Sequence, residues 1–122
     1  MNLFDDPSAR LLGSLMDAAA LRARVLAGNV ANQNTPGYKR QVVRFEELLR
    51  TAIEHGRAPT ELERVAPQVD QDTLTPVRAD GNNVNLELEL SAARENRLLY
   101  EMYSAIHTSR SELIRAAIES SR

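Results

Sequence analysis

The chain holds two histidines, His55 and His107, and no cysteine. A helix presents a ligand pair to zinc at a spacing of three or four residues, and neither histidine has a partner there; Ser111, four residues past His107, is not a ligand. No metal site is expected, and His107 reads as a helix-surface or interface residue. Two carboxylate pairs, Glu46–Glu47 and Glu87/Glu89, would need a buried cleft for acid–base work. On an amphipathic helix such pairs form a charged face, which is the reading taken. Ser109, Ser111, Ser120 and Ser121 lack a nucleophile elbow or a histidine to activate them. Lys39, Arg40, Arg44 and Arg50 form a short basic run. Its ordinary reading is a solvated face near Glu46 and Glu47, and the other is a docking patch for an acidic partner. Tyr100 and Tyr103 suit packing better than base stacking, because no basic groove accompanies them. No catalytic set and no cofactor site is expected, so the chain does not read as an enzyme.

The most specific stretch is architectural. Gly28 to Arg40 reads GNVANQNTPGYKR. Asparagine amides compete for nearby backbone groups, so Asn29, Asn32 and Asn34 mark the end of a helix. Thr35 precedes proline and is pushed toward extended geometry. Pro36 presets the first central position of a turn, and Gly37 supplies the positive φ that a type II turn needs at the second. Tyr38 follows this sharply specified exit.

Three parts must position these residues: 1–37, a helix and its exit turn; 38–80, a connector with a short helix; and 81–122, a long helix. In the first, Leu12, Met16, Ala19, Ala23, Leu26 and Val30 share a stripe at helical spacing from Pro7 to about Ala31, with Asp5 or Asp6 as a cap. In the second, RFEELLRTAIEHG (residues 44–56) has helical rhythm and stops at Gly56. The following stretch carries three of the five prolines and reads as extended or partly disordered, with room for a short strand pair. In the third, Asp80-Gly81 is a turn and Asn83 or Asn85 caps a helix. Leu88, Ala92, Leu99, Met102, Ile106, Leu113 and Ala117 form its stripe, widened by Tyr103. A helix of about 35 residues is about 50 Å long, a length that calls for a coiled-coil-like partner. The expected fold is mostly α, with long terminal amphipathic helices packed as an antiparallel hairpin.

The 122 residues amount to one domain at most, with 43% hydrophobic content and a net charge of −2. That balance makes no case for nucleic acid or anionic membrane. No segment nears the roughly 20 apolar residues that span a bilayer, and MNLFDDPSARLL is not a secretory signal.

Asn29 to Arg40 resembles the N-terminal signature of bacterial flagellar rod and hook proteins, NIANxxTPGYKR. Asp80-Gly81-Asn82-Asn83-Val84, followed by Glu95-Asn96 and Tyr100, is similar to the C-terminal pattern of the proximal rod proteins, DGNNVDLxxEMxxLAENxLxY. Asn85 stands where that pattern has aspartate, and Leu90 where methionine is frequent. The resemblance implies a structural subunit of the basal-body rod, with Asn29, Ala31, Asn32, Thr35, Pro36, Gly37 and Tyr38 as an assembly motif. Asp80, Gly81, Asn82 and Asn83 would form the C-terminal helix turn, and Leu99, Met102, Tyr103, Ile106 and Leu113 its interface. It further implies export by the flagellar type III apparatus without a cleaved signal, a periplasmic site, and no membrane insertion. Implied partners are other copies, other rod subunits, and the basal-body ring with its adapter. The alternative reading is a small cytosolic helical adaptor or regulator, which accounts for the stripes but not for the TPGY exit or the DGNN turn.

Overall fold

The computed structural model describes residues 6–122. Its elements are α1 (Pro7–Ala31), β1 (Gln41–Arg44), α2 (Glu46–Glu54), α3 (Pro59–Leu62), β2 (Gln68–Gln71) and α4 (Leu86–Ser120). The two long helices pack antiparallel. Asp6, at the start of α1, pairs with Arg110 late in α4, while Asn29 near the end of α1 reaches Glu89 in the first turn of α4.

Both long helices begin where a side-chain cap meets an orphan backbone donor. Asp6 has extended backbone and accepts a hydrogen bond from the Ser8 N–H at 3.0 Å, with Pro7 as the first helical residue. Asp5 lies outside the described residues. At the start of α4 it is Asn85 that caps, accepting from the Leu88 N–H at 3.3 Å. Asn83 is used elsewhere.

The hairpin is held by a narrow seam. The buried residues of α4 are Glu89, Asn96 and Tyr103, each seven positions from the next. Ala92 and Leu99 are half-buried between them, which is heptad geometry. Tyr103 packs with Leu12 and Ala19 of α1, flanked by Leu15, Met16 and Leu99. The stripe read from the sequence divides accordingly. Leu99 and Tyr103 turn inward, whereas Leu88, Met102, Ile106 and Leu113 lie on a flank and stay 44–69% exposed. The reason is geometric, since α1 is the only extensive partner of α4 among the described residues. One helix covers one seam and no more. Beyond Arg110, α4 also runs past the start of α1.

The connector is irregular between short elements and contains the kind of strand pair that its sequence leaves room for. β1 and β2 pair antiparallel, with Val43 opposite Val69 and Gln41 opposite Gln71. Phe45 is fully buried as it leads into α2, and with Leu49 it packs on Ala18 of α1; Leu62 and Val65 close that cluster. α2 ends at Gly56, whose φ of 68° suits glycine. The connector thus packs on α1 through this cluster. No described helix is long and apolar enough to cross a membrane.

Candidate functional site

Where the exit of α1 meets the entry to α4, a network of amides and charges closes the open end of the hairpin. Asn29, fully buried, is its hub. Its amide donates to the Gln41 carbonyl at 2.8 Å and to Glu89 Oε2 at 3.0 Å. Its carbonyl accepts from the Tyr38 hydroxyl at 3.0 Å and from the Gln41 N–H at 2.9 Å. All four hydrogen-bonding positions of one asparagine side chain are therefore used, so burial leaves none of them orphaned.

The exit turn forms as the sequence predicts. The Tyr38 N–H donates to the Thr35 carbonyl at 3.2 Å, and Gly37 takes a φ of 75°. Asn32 folds back on the helix end, donating to the Gly28 carbonyl at 2.8 Å and accepting from the Thr35 hydroxyl. The DGNN turn then docks on this exit. The Gly37 N–H donates to the Asp80 carbonyl at 2.8 Å. Asn82, fully buried, donates to the carbonyls of Asn32 at 2.8 Å and Thr35 at 2.9 Å, and accepts from the Val84 N–H. Asn83 accepts from the Arg40 N–H at 2.6 Å and donates to the Asp72 carbonyl at 3.0 Å. Gly81 has a φ of 83°, and a Cβ there would stand 3.2 Å from Gly37 Cα. Two glycines thus let two turns touch backbone to backbone.

Charge fills the centre. Glu89 has no solvent exposure and pairs with Arg40, whose guanidinium also reaches Asp72 at 2.8 Å. The Thr75 hydroxyl and the Leu74 N–H, together with Arg40, hold the Asp72 carboxyl well below the usual carboxylate range. Burial, seconded by the Glu89 charge, pushes the Tyr38 phenol up. The Asn82 N–H lowers Asp80.

Several readings from the sequence need correction here. Glu89 does not belong to a solvated charged face, and Arg40 belongs neither to a solvated face nor to a free docking patch. Each is the other's partner inside the clasp. Lys39 donates to the Gly81 carbonyl, Arg44 pairs with Glu47 at 3.2 Å, and exposed Arg50 lies 4.0 Å from Glu54, so the four members of the basic run have four different partners. Arg78 was not singled out by the sequence, yet it donates to the carbonyls of Val84 and Gln33 and so ties both arms. No motif marks it. Glu89 stands seven residues before Asn96, and Asn96 seven before Tyr103, but two polar residues at that spacing mark a seam only once the fold shows them buried.

Of the residues expected to act in assembly, the structure gathers Asn29, Asn32, Thr35, Gly37, Tyr38, Asp80, Gly81, Asn82 and Asn83 into this one network. Pro36 is exposed within the exit turn, and Ala31 lies outside the network on an exposed helix face. Leu99 and Tyr103 lie in the helix seam, and Met102, Ile106 and Leu113 on the open flank.

A second polar layer sits midway along the hairpin. Asn96 donates to the Ala19 carbonyl at 2.8 Å and accepts from Arg22 at 3.1 Å; Arg22 in turn meets Glu46 at 2.5 Å. The described residues contain no group of three or more side chains suited to a metal ion.

The fold and clasp define a class: a long-helix hairpin protein closed at its open end by a satisfied polar network and uncovered along its outer flanks. No family model matches the chain. Among curated proteins, it is similar to the flagellar basal body rod protein FlgB of Borrelia hermsii, at 32% identity over 87% of this chain and 90% of that protein. The FlgB protein of Aeromonas hydrophila is 36% identical over 66% of this chain and 68% of its own, and that of Escherichia coli K12 is 28% identical over 80% and 82%. The chain belongs to the flagellar basal body rod protein FlgB family.

Proposed function

We propose that this chain is a structural subunit of the proximal part of the flagellar basal-body rod, and that it transmits torque through packed terminal helices without turning over any substrate. One observation carries the mechanism beyond family membership. The hairpin is braced internally by the clasp, yet leaves Met102, Ile106 and Leu113 of α4 half or more uncovered or nearly so, at 50%, 44% and 69% exposure. A braced element with open apolar flanks suits a load-bearing assembly, because neighbours gain from covering it while its own geometry stays fixed. In this reading the partners are other copies and other rod subunits, the basal-body ring with its adapter, and the flagellar export apparatus. The chain works in the periplasm and leaves the cytoplasm without a cleaved signal.

Gly37→Val tests the proposal. A β-branched residue is strained at the positive φ of Gly37, which loosens the exit turn on which the DGNN turn docks. The expected outcome is lost motility and missing basal bodies in electron micrographs, with the variant chain still soluble. Cells that lose a soluble complex but keep their flagella would instead favour a cytosolic adaptor. Crosslinking from Tyr38 and Tyr100 should capture rod components.

A further inference from the structure

At one position the fold demands a dipeptide of low chemical durability. Of the five glycines, only Gly81 follows an aspartate, and none follows an asparagine. A backbone amide next to an aspartyl carboxyl can close a succinimide ring. The approach is least hindered when that amide belongs to glycine, which has no Cβ to crowd it. Gly81 cannot be exchanged for a more protective residue. Its φ is 83°, and a Cβ there would stand 3.2 Å from Gly37 Cα, where the DGNN turn touches the exit turn. Asp80 is exposed, so water reaches its carboxyl.

Around this reactive pair the clasp holds the groups that ring closure would have to move. The ring needs the Gly81 nitrogen at bonding distance from Asp80 Cγ, so the peptide unit between residues 80 and 81 must turn toward the side chain. That unit is fixed on both sides. The Asp80 carbonyl accepts from the Gly37 N–H at 2.8 Å, and the Gly81 N–H donates to the Arg78 carbonyl at 2.9 Å. The carboxyl is held too, with Asp80 Oδ1 accepting from the Asn82 N–H at 3.0 Å and Arg78 Nε 3.6 Å away. The Asn82 N–H keeps the Asp80 carboxyl below its usual titration range, which thins the protonated acid, the form that can lose its hydroxyl as water.

We infer that Asp80–Gly81 is a site of spontaneous isoaspartate formation in the unlocked chain, and that the closed clasp shields it. The Gly81 nitrogen attacks Asp80 Cγ, and its proton leaves with the carboxyl hydroxyl as water, which closes the succinimide. Water then adds to either ring carbonyl. Addition at Cγ restores aspartate. Addition at the former main-chain carbonyl breaks its bond to the Gly81 nitrogen and leaves the chain running through Cβ and Cγ. Nothing is oxidised or reduced, and the product has the mass of the original chain. The rerouted main chain is one methylene longer, and the old Asp80 carbonyl has become a carboxylate on a side branch. It no longer meets the Gly37 N–H where the two turns dock, so a chain that isomerises before locking locks poorly afterwards. This inference goes beyond the rod reading and does not rest on it, because only the geometry of the clasp enters.

The test holds the full chain at neutral pH, once in native buffer and once in guanidinium chloride. Isoaspartate is followed with an isoaspartate-specific carboxyl methyltransferase and mapped by electron-transfer fragmentation of peptides. The denatured chain is expected to accumulate isoaspartate at residue 80 at least about ten-fold faster than the native chain, which reacts only in its rare local openings. Asp80→Glu, which would need a larger ring, should abolish that signal in the denatured chain. Asn82→Ala removes the two donations that seat the DGNN turn, and in native buffer it should isomerise faster than wild type. Circular dichroism establishes that Asn82→Ala folds; if it does not, Lys39→Met, which removes only the bond to the Gly81 carbonyl, takes its place. Wild type aged in denaturant and returned to buffer should contain a fraction that unfolds at lower denaturant, and that fraction should carry the isoaspartate. Equal rates in native and denatured chain, a denatured chain without isoaspartate at residue 80, or isoaspartate-bearing chains that refold with the wild-type midpoint would each overturn the inference.

Discussion

Asn29 shows why one amide can govern the meeting of two chain segments. Its four hydrogen bonds reach Tyr38, both polar groups of the Gln41 backbone, and Glu89. Asn29→Ala would leave these partners buried without it, and an unsatisfied buried group is more costly than a bond never made. We expect a loss of about 3 kcal/mol in urea denaturation, against about 1 kcal/mol for Tyr38→Phe, which removes a single bond. Asp72 sets the acid limit. Its folded pKa lies below its unfolded value of about 3.9, so it contributes stability above that pH and loses it as pH falls through the folded value. Asp80 is lowered too, so the acid profile of Asp72→Asn should be flatter than that of wild type between about pH 4 and pH 2, but not level. Unfolding midpoints measured across that range check both the sign and the window. The asparagines and turn glycines were legible in the sequence because their conformational demands are local. Glu89 and Arg40 were not, because only the fold reveals that one charge will be buried against the other.

At the scale of elements, the helices and their caps follow from patterns that depend on neighbours along the chain. The exit turn, the stop at Gly56 and the unbroken run of α4 could all be placed this way. The strand pair could be placed only in part: the sequence leaves room for one after Gly56, where β2 lies, but β1 precedes α2. Gln68–Gln71 contains one apolar residue, and its pairing depends on Arg40 being fixed beside it, where the Arg40 carbonyl accepts from the Asp72 N–H at 2.8 Å. The seam of α4 was hidden for a related reason. Its members Glu89 and Asn96 are polar, and hydrophobic periodicity ranks them as surface. Polar residues at such seam positions trade stability for register. Asn96→Leu should therefore leave thermal stability equal or higher by about 1 kcal/mol, while light scattering shows additional oligomeric species. Arg22 would keep Glu46 as its partner, so no charge is left alone.

Over the whole molecule, stability is uneven. The clasp and the seam brace α4 from Glu89 to Arg110, while residues 111–120 extend past α1 with Leu113 and Ile118 exposed. In dilute monomer, hydrogen exchange should be fast along residues 111–120 and slow from 89 to 103; assembly should slow the former and leave the latter almost unchanged. Exchange that is equally slow along all of α4 in the monomer would contradict this picture. The clasp has a further consequence, for timing. Asn29 and Glu89 are 60 positions apart, and Arg40 and Glu89 are 49 apart. A polypeptide emerging amino end first from a ribosome, or fed through any narrow conduit, cannot lock until most of its length is free. Pairings so distant in sequence also form slowly. Such a molecule stays pliable until its carboxyl half is free, and stiffens only then.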